Sequence, residues 1–300
     1  MATHNPNMAL RGSLSIFFSA SLWGLFWIPL HYFDERGLVA LWAVAAVNFA
    51  GCVIGIPFAL MSKEKILPNL KWLVIVGMGM GISNVLYFAG ILLSDVVRIV
   101  FLFYLLPLWA TLFSWLIFGE AIGRARMFAL AIAFVGIWLL LGAGGWPIPQ
   151  DIGDIFGLLS GAGWAFGLAM IRGRNDLEPF SLTASGLLFA FMGACLLGGI
   201  LTTIAPDIQP PLPNTTSISM ILIPVFLFGV LILWPTLLGQ IWGARYVAAT
   251  TAALLTMSEI MTATVSTTLV GASDMALISW IGAGLILTAI FIDLLGGQHA

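Results

Sequence analysis

Charge is scarce in this sequence: Asp, Glu, Lys and Arg make up only 8% of the 300 residues. The two cysteines, Cys52 and Cys195, lie in apolar segments, where a thiol behaves as a small apolar side chain, so we expect neither a disulfide nor a bound metal. The phosphate-binding motif G-x-x-x-x-G-K-[ST], the zinc motif H-E-x-x-H and basic clusters suited to nucleic acid are also missing. These absences argue against an enzyme, a cofactor-dependent protein and a nucleic-acid partner.

Long apolar runs are what the sequence has instead, since 61% of its residues are apolar. A bilayer's hydrocarbon core of roughly 30 Å needs about 20 helical residues to cross it. Ten segments have that length, and no interval between them is long enough to fold alone. The predicted spans are 12–31, 38–61, 71–93, 97–118, 123–142, 154–172, 180–204, 217–238, 246–270 and 275–295. The sequence therefore predicts an all-α polytopic membrane protein with ten transmembrane helices.

The basic residues predict the orientation of the chain, because cytoplasmic loops carry an excess of Lys and Arg. If the N-terminus is cytoplasmic, only Arg36 and Arg98 of the 11 basic residues fall outside. The others are Arg11, Lys63, Lys65, Lys71, Arg124, Arg126, Arg172, Arg174 and Arg245. We therefore predict that both termini are cytoplasmic, in a multi-pass protein of the cell (inner) membrane that contacts membrane lipid.

The chain divides near residue 150 into two halves, 1–150 and 151–300, with five predicted spans each. An odd number of spans per half requires the two copies to lie in opposite orientations. Weak sequence echoes favour a duplication. The paired residues are Ser19 and Ser160, Trp23 and Trp164, Gly90 and Gly243, and Pro107 and Ile260. We expect two inverted five-helix repeats.

Several short motifs resemble a known group of transporters. They are Leu22-Trp23 in the first span, Leu106-Pro107 in the fourth, and Phe118-Gly119-Glu120 before the basic turn with Arg124 and Arg126. In the second half, Ser258-Glu259-Ile260 stands where such proteins often have Leu-Glu-Pro, and Ala272-Ser273 replaces Gly-Glu. With these departures, the chain resembles the EamA-type ten-helix branch of the drug/metabolite transporter superfamily. Its tryptophan-rich interior looks most like the aromatic amino acid exporters of the YddG type.

Glu259 is the only acidic residue near the centre of a predicted span. Ionisable side chains at membrane depth are costly and tend to face a cavity or a partner. Glu259 is therefore a candidate site for a proton or for the amine of a substrate. The alternative is a protonated side chain that hydrogen-bonds to a neighbouring helix and only stabilises packing.

The third and fourth spans carry polar but uncharged faces. Asn84 and Tyr87 lie one turn apart, and Tyr104 and Pro107 share a face of the next span with Thr111. These faces are suited to line one cavity, or else to form hydrogen bonds between helices. Pro107 frees a backbone carbonyl one turn back and predicts a bend at a gating position.

Trp23 and Trp164 differ from most of the 12 tryptophans, because they lie at mid-depth and each follows a serine by one turn. Two indoles across the repeat axis could hold a flat apolar group by offset stacking. The alternative is that they fill the helix interface and contact no ligand.

The resemblance and these side chains together predict a secondary transporter that exports small organic metabolites by alternating access, with aromatic and other apolar amino acids favoured as substrates. Its substrate-binding residues are expected to be Trp23, Asn84, Tyr87, Tyr104, Trp164, Ser258 and Glu259, with Pro107 as a hinge. Coupling to protons is one option and passive exchange is another. The alternatives are an exporter of drugs or nucleotide-linked metabolites, and a membrane scaffold that transports nothing.

Overall fold

The computed structural model describes residues 6–120, 122–141, 148–174, 176–212, 215–270 and 276–296, and every regular element in these ranges is a helix. The first half contains α1 (Pro6–Trp23), α2 (Trp27–Asp34), α3 (Ala40–Leu60), α4 (Lys63–Leu93), α5 (Val96–Phe103), α6 (Leu106–Phe118) and α7 (Arg124–Leu140). The second contains α8 (Ile152–Gly173), α9 (Pro179–Ile204), α10 (Thr215–Phe228), α11 (Trp234–Ala244), α12 (Ala249–Thr256), α13 (Ser258–Leu269) and α14 (Leu277–Gly296). The segment Ala272-Ser273, noted above for its departure from the family pattern, lies outside the described residues.

Eight helical stretches in the described part of the chain are long and apolar enough to cross a membrane. They are Asn7–Asp34, Ala40–Leu60, Lys63–Leu93, Val96–Phe118, Ile152–Gly173, Pro179–Ile204, Ser219–Ala244 and Leu277–Leu295. Two shorter stretches correspond to the other predicted spans: α7 has 17 residues, and α12 and α13 have 8 and 12. The all-helical, multi-pass class is confirmed, whereas ten spans and cytoplasmic termini stay predictions.

The surface of the helix bundle is apolar, as expected for contact with lipid tails rather than water. Phe18, Leu196, Leu231 and Phe291 are each more than 60% exposed. Polar side chains such as Asn48, Ser160 and Gln240 are buried between helices instead. A water-soluble protein rarely exposes so many large apolar side chains over its surface.

Three of the ten predicted spans are interrupted in the structure. The first breaks between α1 and α2, the fourth at Tyr104 and Leu105 between α5 and α6, and the ninth at Met257 between α12 and α13. Pro107 lies in the first turn of α6, two residues after Leu105, and its role as a hinge stays a prediction. Met257 lies 153 residues after Tyr104, the same offset that relates Pro107 to Ile260. The break at Met257 therefore occurs at the position equivalent to Tyr104, although Ile260 stands where the first half has Pro107.

A five-residue π-helical turn, Gly229–Leu233, joins α10 directly to α11. Pro235 follows it in the first turn of α11 and has no amide N–H to donate. The hydroxyl of Thr236 donates to the carbonyl oxygens of Ile232 and Leu233, which satisfies acceptors in the distorted turn. Single π-helical turns of this kind occur frequently at functional sites.

The packing of helices in the first half is mirrored by that in the second. α4 packs on α8 as α11 packs on α1, and α5 and α6 pack on α8 as α12 and α13 pack on α1. The pairs α3 with α9 and α7 with α14 each join equivalent helices of the two halves. Exchanging the halves therefore leaves this pattern of neighbours unchanged.

Two buried acids that the sequence did not single out have arginine partners. Arg98 Nε donates to both carboxylate oxygens of Asp154, at 3.0 and 3.1 Å, where α5 meets the start of α8. Arg126 Nε lies 3.4 Å from Asp293 Oδ1, joining α7 to α14, and Thr251 also donates to Asp293. These ion pairs fix helices to one another at the ends of the bundle.

Candidate functional site

A cavity with about 380 Å³ of empty space lies where helices of both halves meet. Five of the residues predicted from the sequence line it: Trp23, Asn84, Tyr87, Trp164 and Glu259. The others are Ser83, Phe103, Gln240 and Thr256. Residues as far apart in sequence as α1 and α13 are therefore brought to one site.

Tyr104 lies behind this cavity rather than in its lining. Its side chain is almost fully buried, and its hydroxyl lies beside the carboxyl group of Glu259 and the backbone of Ile260. Tyr104 is therefore placed to position Glu259 and the broken stretch around it. A contact of Tyr104 with substrate stays a prediction.

Ser258 also lies apart from the cavity lining. Its hydroxyl donates to the backbone carbonyl oxygen of Phe17 at 3.0 Å, which ties α13 to α1. The polar face of the fourth predicted span also forms a hydrogen bond to another helix, because the hydroxyl oxygens of Thr111 in α6 and Thr250 in α12 are 2.8 Å apart. These contacts join helices, and a contact of Ser258 with substrate stays a prediction.

Gln240 is a cavity residue that the sequence reading missed, because the predicted eighth span ended at residue 238. It lies 153 residues after Tyr87, and Thr256 lies 153 residues after Phe103. All four side chains line the cavity. The offset of 153 that pairs Gly90 with Gly243 also pairs Tyr87 with Gln240, so the repeat could have identified Gln240 from the sequence.

Glu259 is the one acidic residue in the cavity lining, which contains no Lys, Arg or His among the described residues. Unlike Asp154 and Asp293, it has no ion-pair partner among the residues that the structure describes. The neutral hydroxyl of Tyr104 lies beside its carboxyl group. The site can therefore bind a proton or a positively charged group, and it offers no fixed charge to an anion.

Three buried polar atoms on cavity-lining residues have no hydrogen-bond partner in the described part of the protein. They are the Asn84 Oδ1, the Gln240 Oε1 and the Trp164 Nε1. Most buried polar groups in proteins are paired, because an unmade hydrogen bond costs about 1–3 kcal/mol. These atoms have almost no exposed surface, so a ligand could pair with them only if the side chains around the cavity move.

Two smaller voids adjoin the cavity and share Asn84 with it. One has about 260 Å³ of empty space and extends from Trp23 to Leu30 and Phe228. The other has about 310 Å³ and extends from Trp164 to Thr183. Asn84 therefore borders all three voids.

Comparison with known proteins identifies the family. The sequence matches the EamA-like transporter family twice, over residues 10–142 and over residues 151–294. The chain belongs to the EamA-like transporter family. This EamA-like protein is thus a multi-pass membrane transporter of small molecules, and the cavity between its halves is the candidate substrate site.

A solved crystal structure has the same fold as this EamA-like transporter. It superposes with a TM-score of 0.68 and 19% sequence identity, covering 98% of each chain. At that identity the likeness concerns the fold alone. No curated protein matches the sequence significantly.

Proposed function

We propose that this EamA-like protein is a secondary transporter of the inner membrane that exports amino acids with aromatic or large apolar side chains. The observation that carries the proposal is the composition of the cavity. It combines two indoles, Trp23 and Trp164, with polar uncharged groups and the single acid Glu259. An amino acid has an ammonium group for the acid, a carboxylate for neutral donors and a side chain for the aromatic walls.

The charge of the cavity lining favours an amino acid over the alternatives. A nucleotide-linked metabolite would need cationic side chains for its phosphates, and the lining has none among the described residues. A cationic drug would be favoured by Glu259, but its binding would leave the neutral donors of the site unused.

We propose that transport proceeds by alternating access of two inverted repeats, residues 1–150 and 151–300. The twofold family match and the exchangeable packing of the two halves support this arrangement. Rigid-body movement of repeats around a central site is the usual mechanism of transporters built in this way. The helix breaks at Tyr104 and Met257 meet beside Glu259, so bending just before Pro107 would reshape the site.

Glu259 is proposed to couple transport to protons. A carboxyl group without a cation partner can be protonated when the site is empty and can release its proton when an ammonium binds. Tyr87 and Tyr104 are the titratable groups nearest to it, and neither carries charge at neutral pH. Competition between proton and substrate at one carboxyl group would give an exchange of one for the other.

Uptake into proteoliposomes tests the proposed substrate class. Purified protein should accumulate phenylalanine and tryptophan more efficiently than alanine, and liposomes without protein should accumulate none. Accumulation of a cationic dye with no amino-acid flux would assign the protein to drug export instead. A protein that folds and reconstitutes but moves neither would be a scaffold.

A further inference from the structure

The unpartnered atoms around the cavity differ in chemical type. Gln240 Oε1 and Asn84 Oδ1 are hydrogen-bond acceptors, whereas Trp164 Nε1 carries an N–H that can only donate. The side chains of Gln240 and Trp164 are more than nine-tenths buried. A ligand that satisfies all three atoms must therefore present both N–H groups and an acceptor.

Glu259 adds a negative charge to the acceptor side of this set, since it lines the same cavity as Gln240 and Asn84. An ammonium has three donors and a positive charge, so it matches two amide oxygens and a carboxylate. In the absence of a cationic side chain in the lining, the indole N–H of Trp164 is the buried unpaired donor available to a carboxylate.

We propose that Trp164 recognises the carboxylate of the substrate through its indole N–H, while Gln240, Asn84 and Glu259 bind the ammonium group. This inference rests on the proposed export of amino acids and assigns a specific role to each side of the cavity. It makes Trp164 a specificity-determining residue that selects amino acids over amines of the same shape.

The two tryptophans then have different roles, although they occupy equivalent positions in the repeats. Trp23 packs on Phe26 with ring centroids 4.1 Å apart, and Phe26 packs on Phe228 at 4.8 Å. Trp23 thus forms the edge of an aromatic cluster suited to an apolar side chain. Trp164 contributes its polar edge instead of a stacking face.

A pair of ligands separates these roles. Phenylalanine and phenylalaninamide share the ring and the ammonium, but the amide lacks the negative carboxylate. Their dissociation constants are measured on purified protein by calorimetry, for wild type and for Trp164→Phe, which keeps an aromatic ring and removes the N–H. Trp109→Phe is the matched control, because Trp109 also has a buried unpartnered Nε1 but does not line the cavity.

Wild type is expected to bind phenylalanine more tightly than the amide. Trp164→Phe should lower that preference about tenfold or more, since a hydrogen bond to a charged group contributes about 1.5–3 kcal/mol. Trp109→Phe should leave the preference unchanged. Gln240→Leu should weaken both ligands alike, because both present the same ammonium.

The outcomes distinguish this inference from the proposed function. If wild type binds and transports phenylalanine but Trp164→Phe weakens both ligands equally, Trp164 only shapes the cavity wall and the carboxylate assignment is wrong. If wild type binds neither ligand, both the assignment and the proposed amino-acid export are overturned.

Discussion

Tyr104 and Glu259 lie side by side at the point where the fourth and ninth predicted spans are both broken. Tyr104 is the first residue of the break between α5 and α6, and Glu259 lies two residues after the break at Met257. A tyrosine hydroxyl is a neutral donor, so it can hold a carboxyl group in place without fixing it in the charged state as an arginine would. This contact joins the two halves directly at the candidate site.

The coupling proposal predicts that Glu259→Gln abolishes proton-driven accumulation of substrate. Glutamine keeps the size of the side chain but cannot bind and release a proton, so counterflow exchange should remain, with a weaker apparent affinity because the ammonium loses its carboxylate. Both fluxes are measured in proteoliposomes with and without an imposed pH gradient. Glu64→Gln, the same change at an exposed position in the first turn of α4, is the control and should keep the response to the gradient. Normal accumulation by a well-folded Gln variant would reduce Glu259 to a packing role.

Trp23 is predicted to select for the ring of the substrate. Trp23→Ala should weaken transport of phenylalanine and tryptophan five- to tenfold more than transport of alanine. That ratio corresponds to about 1 kcal/mol of stacking, which only a ring-sized side chain can gain. Apparent affinities from initial rates in proteoliposomes give the comparison. Equal losses for all three amino acids would show that the indole of Trp23 supports the cavity wall and does not discriminate between substrate side chains.

Gly24 is predicted to be intolerant of any side chain. A Cβ at this position would overlap the backbone oxygen of Glu259 and would lie 2.9 Å from the backbone nitrogen of Ala263. Gly24→Ala must therefore push α1 away from α13, at a cost of about 1–3 kcal/mol. We expect a lower melting temperature in detergent and impaired transport. Gly199→Ala, in a helical position with nothing within 4 Å of the added methyl, should be neutral or stabilising. A neutral Gly24→Ala would mean that the two helices separate easily.

Arg126 is predicted to stabilise the bundle through Asp293. Arg126→Ala would leave the buried carboxylate of Asp293 without its cation, and breaking a buried ion pair on one side costs about 3 kcal/mol. Arg124 is exposed two residues earlier, so Arg124→Ala should change the stability by less than about 0.5 kcal/mol. Thermal unfolding of the two variants in the same detergent measures the difference. Equal melting temperatures would show that the pair contributes little.

The predicted orientation can be tested by labelling single cysteines in a background without Cys52 and Cys195. Cysteines at Asp34 and Asp207, both exposed, should react with an impermeant reagent on whole cells. Cysteines at Lys65 and Arg124 should react only after permeabilisation. The neighbouring Gln209 is unsuitable, because it is fully buried and accepts the backbone N–H of Leu41. The reverse labelling pattern would overturn the orientation.

The residues that the sequence identified correctly as neighbours share one property: each is polar or aromatic where the surrounding span is apolar. Trp23, Asn84, Tyr87, Trp164 and Glu259 meet around one cavity, as this rule suggests. Membrane depth makes polar side chains costly unless they face a cavity or a partner, so their positions along an apolar span already indicate where such a cavity lies.

Hydrophobicity also determined the class of the protein by itself, because a chain of long apolar runs can satisfy its backbone in lipid only as helices. What the tertiary structure decided is which partner each polar group has. Ser258 and Tyr104 carry the same sequence signal as the cavity residues, yet one bonds to α1 and the other supports Glu259. Periodicity assigns a residue to a face of its own helix, but the helix that this face meets depends on how the two halves pack together.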